Sequence, residues 1–272
     1  MKNKLRFILL QVNGLFPFLY PLLHTFKDLN FLKGLFSYYR DLIKYQNLNS
    51  SQKSEFPIKF GNLYPIYFDR YEEAGEVPKH YFYMDLWAAK KIYKSNVKMH
   101  YDIGSRIDSF ISHCLVFCKV TMLDVRPLNS SVPNLKFIQA DCMDMKNIKS
   151  NSIGSISTLH AVEHFGLGRY GDPIDPLGYN KAINEIKRIT KLGGDVYFAG
   201  PIGKQRVEFN AHRVVSPLFI IKLFEGFELI DFSAIDDENN FIEKTKPEKF
   251  VGANYSCGLF HFKKINNVES KK

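Results

Sequence analysis

SIGSISTLHAVEHFGLGRYGDPIDPLG, Ser152–Gly178, is the stretch on which the fold turns. Its β-branched run (Ile153, Ile156, Thr158) stops at a cluster of ionisable side chains: His160, Glu163, His164, Arg169, Tyr170, Asp172 and Asp175. Strand formers that break into a loop dense in such groups describe the carboxyl end of a core strand. Open α/β sheets keep their active sites there.

Outward from that strand the pattern stays regular. His80–Lys94 reads as an amphipathic helix, Val97–Ile103 as a strand ending at Gly104, and Ile107–Phe117 as a second helix. Lys119–Asp124, Leu135–Asp141 and Ile153–Leu159 follow as strands. Tyr179–Thr190 is a helix that Gly193–Gly194 would close with a C-cap turn. Asp195–Ala199 is a fifth strand and Pro217–Phe224 a short helix. Phe227–Ile235 and Tyr255–Lys263 are two more strands with no helix between them. Alternating strands and helices imply a parallel sheet covered on both faces, and the last pair implies an antiparallel edge hairpin. Ahead of this domain, residues 1–46 read as helical, Asn47–Ser54 as a polar linker, and 55–79 as irregular, with Pro57, Gly61, Pro65, Gly75 and Pro78 as breakers. The expected division is an extension over 1–78 and an α/β domain over 79–272.

The 272 residues are 45% hydrophobic and 24% charged, ordinary globular values, with a formal charge of +9 and a pI near 9.2. That charge suits anionic partners such as phosphorylated small molecules or an acidic membrane surface. There is no basic run and no zinc-finger or RNP signature, so nucleic acid is not an expected partner. Cys114, Cys118, Cys142 and Cys257 form no CxxC pair and suggest reduced thiols in a cytoplasmic enzyme. Leu5–Leu23 is rich in Phe and Leu but is broken by Arg6, Gln11, Asn13, Gly14, Pro17 and Pro21. It falls short of the roughly 18–20 apolar residues of a membrane span. MKNKLR before FILLQV imitates the front of a signal peptide, yet no small-residue cleavage site follows. Residues 1–50 carry seven Lys/Arg against two Asp/Glu. This arm is either a packed subdomain or a peripheral contact with the inner membrane face.

A cofactor site can be read at three strand ends. In Tyr101–Arg106 (YDIGSR), Asp102 and Ile103 precede Gly104, which lacks a Cβ and lets backbone approach a ligand; Ser105 and Arg106 complete the loop. Asp124, followed by Val125 and Arg126, ends the second strand and is placed to accept ribose hydroxyls. Asp141, followed by Cys142, ends the third and is placed to accept an adenine amine. With STLHAVEHF after them, these segments resemble the class I S-adenosylmethionine-dependent methyltransferases over about Lys79–Phe262. The resemblance implies a Rossmann-like fold with a seven-stranded, mostly parallel sheet and S-adenosyl-L-methionine as cofactor. Where that family carries further glycines, this chain has Ser105 and Arg106, and Arg106 is placed to pair with a carboxylate. HYFYMDLWAAKKI, DIGSRIDSF, HAVEHFGLGRYGDPIDPLG and EFNAHRVVSP are together similar to a bacterial subfamily of surface-polysaccharide biosynthesis. That resemblance implies O-methylation of a sugar hydroxyl in a capsular polysaccharide or its nucleotide-linked precursor.

Methyl transfer to a hydroxyl needs a base near neutrality, which points to histidine. His160, at the strand tip, is the first candidate and His212 the second, and Asp172 is a further candidate. Glu163 and His164 are expected to orient or pack. Arg169, Tyr170, Asp172 and Asp175 form a loop over the active end that suits sugar hydroxyls and a pyranose face; alternatively Asp172-Pro173 and Asp175-Pro176 only initiate turns. Asn210, His212 and Arg213 form a second polar cluster, with Arg213 or Arg169 available to a phosphate. His80 and Tyr81 open their helix toward the cofactor. A rival reading takes His160-Ala-Val-Glu163-His164 as the inverted zinc-protease pattern, which requires all five residues to be helical. The residues are also compatible with a lipid-linked or different small-molecule acceptor, and with a non-catalytic scaffold. The favoured reading assigns no metal and allows a homo-oligomer.

Overall fold

Four strands with apolar side chains toward both faces set the frame of a computed structural model that describes residues 29–266, apart from 76 and 78. The chain divides into two compact units, Met1–Val77 and Pro78–Lys272.

In the first unit, α1 (Leu29–Gln52) runs through the expected linker. Ser50 and Ser51 donate their hydroxyls to the carbonyls of Gln46 and Leu48, so the polar stretch finds its partners inside the helix. Phe31 packs edge-on against Tyr67 at 5.3 Å. Gly34 lets the segment after the helix come close: a Cβ there would stand 1.9 Å from the Tyr67 carbonyl oxygen. Among the described residues no helix is long and apolar enough to cross a membrane. The Leu5–Leu23 segment lies outside the described residues.

The second unit opens with α2 (Lys79–Ser95), whose inner face carries Met84, Trp87, Ala88 and Ile92. An eight-stranded sheet follows in the order β3-β2-β1-β4-β5-β10-β8-β9. Its strands are β1 (Met99–Ile103), β2 (Lys119–Asp124), β3 (Leu135–Gln139), β4 (Ile153–Leu159), β5 (Thr190–Ile202), β8 (Phe227–Ile235), β9 (Phe241–Ile242) and β10 (Ser256–Lys264). The first five run parallel to one another, and β10 lies antiparallel between β5 and β8. The architecture is the expected Rossmann-like one, with an eighth strand added by the two residues of β9. Along β5, Val196 and Phe198 face a core with α4 (Gly178–Ile189) and α5 (Pro217–Leu223), while Tyr197 and Ala199 face the core with α2. That alternation is the period of two of a strand buried on both faces.

Two local expectations are corrected. Ile107–Phe117 is not a continuous α-helix: a π-turn (Ile107–Ile111) precedes the short α3 (Ser112–Leu115). Gly193–Gly194 do not cap α4, which ends at Ile189; they sit in the irregular start of β5, where the register against β4 shifts. In addition, β6 (Arg206–Glu208) and β7 (His212–Val214) form a small antiparallel hairpin across EFNAHRV.

Candidate active site

The sheet is built outward in one direction from β1 to β3, then restarts on the other side of β1 with β4. Crevices at that switch point, beyond the strands' carboxyl ends, are where open α/β sheets bind ligands. A cleft of about 500 Å³ lies there, lined by Gly104, Asp124, Val125, Arg126, Asp141, Cys142, His160 and Tyr170 among others. It adjoins a wider one of about 1300 Å³ bounded by Tyr81, Asp85, Ser105, Arg106, Arg169, His212 and Tyr255.

Beneath the first cleft the loop after β1 is held from below. Asp102 is fully buried and lines neither cleft, so it does not face a cofactor as expected. It accepts hydrogen bonds from the Ser105 backbone N–H and hydroxyl and from the Ser157 hydroxyl. His100 bridges Ser155 and Ser157, each at 2.8 Å, and extends the network under the sheet. Burial raises the Asp102 carboxyl to about 7 and lowers His100 to about 3. Both are therefore braces. Above them Gly104 has φ +76°, and a Cβ there would stand 2.7 Å from that of Ala161, so the turn needs glycine.

Asp124 reaches the cleft edge with its carboxylate already engaged. Arg126 grips both oxygens at 3.0 and 2.7 Å and stacks over Tyr170 at 4.5 Å. Asp141 spends one oxygen on the Met143 N–H. Arg106 is exposed and pairs with Asp108 in its own loop, so the expected partner for a ligand carboxylate is held elsewhere.

At the tip of β4, His160 takes φ +51°, an uncommon conformation that turns its ring out of the strand line. Its Nδ1 donates to Glu163 Oε1 at 2.7 Å; its Nε2 is buried without a hydrogen-bond partner. Burial pushes the imidazole down, but the charges of Cys257 and Glu163 outweigh it and hold His160 well above the usual value. Burial likewise opposes ionisation of Glu163, yet His160 and His164 keep its carboxyl below the ordinary range. The inverted zinc-protease arrangement does not form. Only Val162–His164 make a short 3-10 turn, His164 Nδ1 donates to Ala211 O at 2.6 Å, and the Glu163 carboxylate serves the His160 ring.

The glycine-rich loop is built differently from expectation. Asp172 accepts the N–H groups of Gly166, Gly168 and Tyr170 through its two oxygens, so it shapes the loop and is not free to act as a base. Asp175 takes the Leu177 N–H and pairs with Lys181 ahead of α4, the turn-initiating role. Arg213 donates to the Phe165 carbonyl at 2.6 Å and Arg169 to the Ala211 carbonyl at 2.9 Å, stitching loop to hairpin. Asn210 is exposed at the hairpin turn with φ +61° and lines neither cleft. Tyr170, flanked by Arg126 and Arg169, does line both clefts. His80 is buried, its ring stacked between those of His160 and Tyr255, whereas Tyr81 is exposed at the wider cleft. His212 lines that cleft too, with Glu208 3.1 Å from its Nε2.

Asp85, Tyr255 and Cys257 join the site without being singled out by the sequence. Asp85 carries a signal: an acid on the buried stripe with Ala88, Ala89 and Ile92. Tyr255 and Cys257 carry none, because their approach depends on β10 slotting beside β5.

Residues 133–254 match the family model described as Caenorhabditis protein of unknown function, DUF268. No curated protein matches the chain. Among solved structures, the cyclase SpnF superposes with a TM-score of 0.50 at 11% identity, over 67% of this chain and 80% of that one. The 1,6-didemethyltoxoflavin-N1-methyltransferase of Burkholderia thailandensis, solved with S-adenosylhomocysteine, gives 0.48 at 10% identity, over 67% and 79%. The N-methyltransferase NodS of Bradyrhizobium japonicum, also solved with S-adenosylhomocysteine, gives 0.46 at 13% identity, over 71% and 94%. The chain is similar to these in fold.

Proposed function

We propose that the chain is an S-adenosylmethionine-dependent methyltransferase that O-methylates a sugar hydroxyl in a surface polysaccharide or its nucleotide-linked precursor. The observation that carries the reading is the convergence of Gly104, Asp124 and Asp141 on one cleft beyond the parallel strands. Gly104 keeps open a space there that a Cβ would close. Asp124 would hold the ribose hydroxyls, in exchange for Arg126, and Asp141 the adenine amine through its second oxygen. When bound, the cofactor supplies a methyl group on a good leaving group.

The chain's own part is to hold the acceptor oxygen and remove its proton. His212 is the residue we assign to that proton. Its side chain is 16% exposed against 4% for His160, and it lines the wider cleft where an acceptor would lie. Tyr170 offers a face to a pyranose ring, and Arg126 and Arg169 suit an acceptor bearing phosphate. The basic amino-terminal arm fits a cytoplasmic enzyme working at the inner membrane face.

The test is mass spectrometry of surface glycan from a strain lacking the gene, where a repeat unit should lose about 14 mass units, the CH₂ that methylation adds. In vitro, His212→Asn should lower turnover about 10²–10⁴-fold while leaving S-adenosylhomocysteine affinity unchanged. Glycan of unchanged mass would refute the acceptor, and full turnover by the variant would refute the base.

A further inference from the structure

We propose that His80, His160 and Cys257 form a binding site for a divalent transition-metal ion of zinc's character. The three come from the first turn of α2, the tip of β4 and the start of β10. Their ligand atoms all lie within 4.8 Å of one another. All three side chains are buried: His80 is 7% and Cys257 0% exposed, and the His160 side chain 4%.

The His160 ring is set up as a ligand. Glu163 Oε1 takes the proton-bearing Nδ1 at 2.7 Å, which leaves Nε2 as the nitrogen with a lone pair to give. Metal-bound histidines are oriented by this kind of carboxylate contact. That Nε2 is fully buried and has the Cys257 side chain, the third donor of the set, as its neighbour.

Two imidazoles and a thiol make a nitrogen–sulfur donor set, which suits zinc and not calcium or magnesium. Donor atoms on tetrahedral zinc stand roughly 3.3–3.7 Å apart, so side-chain shifts of about 1 Å close the set. Three protein ligands leave a fourth position open, the arrangement of reactive zinc sites more than of structural ones. His80 and His160 border a cavity of about 720 Å³ with Tyr81, Asp237 and Tyr255, which gives that position room for water or a ligand oxygen. The site is distinct from a His160–His164 pair, since His164 is committed to Ala211.

The test uses the full chain carrying a tag without histidines, incubated with Zn²⁺ and dialysed, with metal counted by inductively coupled plasma mass spectrometry. The expected result is about one Zn²⁺ per chain. A Co²⁺-loaded sample should show tetrahedral visible bands and a thiolate-to-cobalt band in the near ultraviolet. Cys257→Ser should abolish that ultraviolet band, and Glu163→Gln should weaken metal affinity about 10–100-fold. His80→Gln, in the first turn of its helix, gives the same readout should the serine variant fail to fold by circular dichroism: it too should lose stoichiometric metal. Wild-type chain without stoichiometric metal overturns the proposal. So does a cobalt spectrum that lacks the thiolate band, or one that His80→Gln and Cys257→Ser leave unchanged.

Discussion

Replacing Asp102 by Asn should make the protein's stability less sensitive to pH, with a sign that follows from where the carboxyl sits. Burial raises its folded value to about 7 from the ordinary 3.8, against the opposing hydrogen bonds of Ser157 and Ser105. Between those values the folded chain keeps a proton that the unfolded chain has released. Stability therefore falls as pH rises from about 4 to about 7. The difference of 7 − 3.8, or 3.2 pH units, corresponds to an upper figure of about 4 kcal/mol at about 1.36 kcal/mol per unit. Asn cannot ionise and still offers an oxygen to the Ser105 N–H, and the two serine hydroxyls can rotate to suit its amide. Urea unfolding of both proteins at pH 4.5, 6, 7 and 8 reads the effect. The variant should gain on wild type by a few kcal/mol across the series, most steeply around pH 5–7. A flat difference over that range, or a variant that loses ground as pH rises, would refute the assignment of Asp102 as a buried, proton-holding brace.

Gly104→Ala should cost about 2–4 kcal/mol, from the left-handed backbone and the overlap with Ala161; calorimetry should show Ala161→Gly restoring only the overlap part. Asp172→Ala strips three N–H groups of their acceptor and should destabilise the loop by about 2–4 kcal/mol. Hydrogen exchange should report it as faster exchange at Gly166, Gly168 and Tyr170, and unchanged protection there would contradict the loop-shaping role. Arg213→Ala removes the tie from the hairpin to the Phe165 carbonyl. Limited proteolysis of 165–178 should quicken several-fold, whereas Asn210→Ala should leave it unchanged.

The central sheet was legible because its strands carry their information locally. Lys119–Asp124 and Ile153–Leu159 are apolar runs ended by a charge or a break, and the structure gives them the same bounds. Events that need a distant partner were not legible. The start of β5 bulges against β4 at Gly193–Gly194, and β10 pairs on both sides with strands far from it in the chain. The cleft's composition was readable for a related reason: Gly104, Asp124, Asp141 and His160 lie at or within two residues of the ends of strands in the same layer, although β3 stops at Gln139, short of the expected Asp141. Residue types, however, do not say where a hydrogen bond goes. Asp102, Asp172, Asp175 and Arg213 have chemistry suited to a ligand, yet each is spent on neighbouring backbone or side chains. The cue for Asp102 lay in the period of two, which puts it on the same side of β1 as the buried His100.

Isothermal titration of S-adenosylhomocysteine into the full chain and into Asp124→Ala is the most direct measurement. One saturable site per chain is predicted for wild type. The variant should bind at least about 30-fold more weakly, because hydrogen bonds to a charged acceptor are worth about 1.5–3 kcal/mol each and the half-exposed Arg126 pair returns only about 1. Wild type that takes up no S-adenosylhomocysteine, or a variant that binds it equally well, would contradict the account.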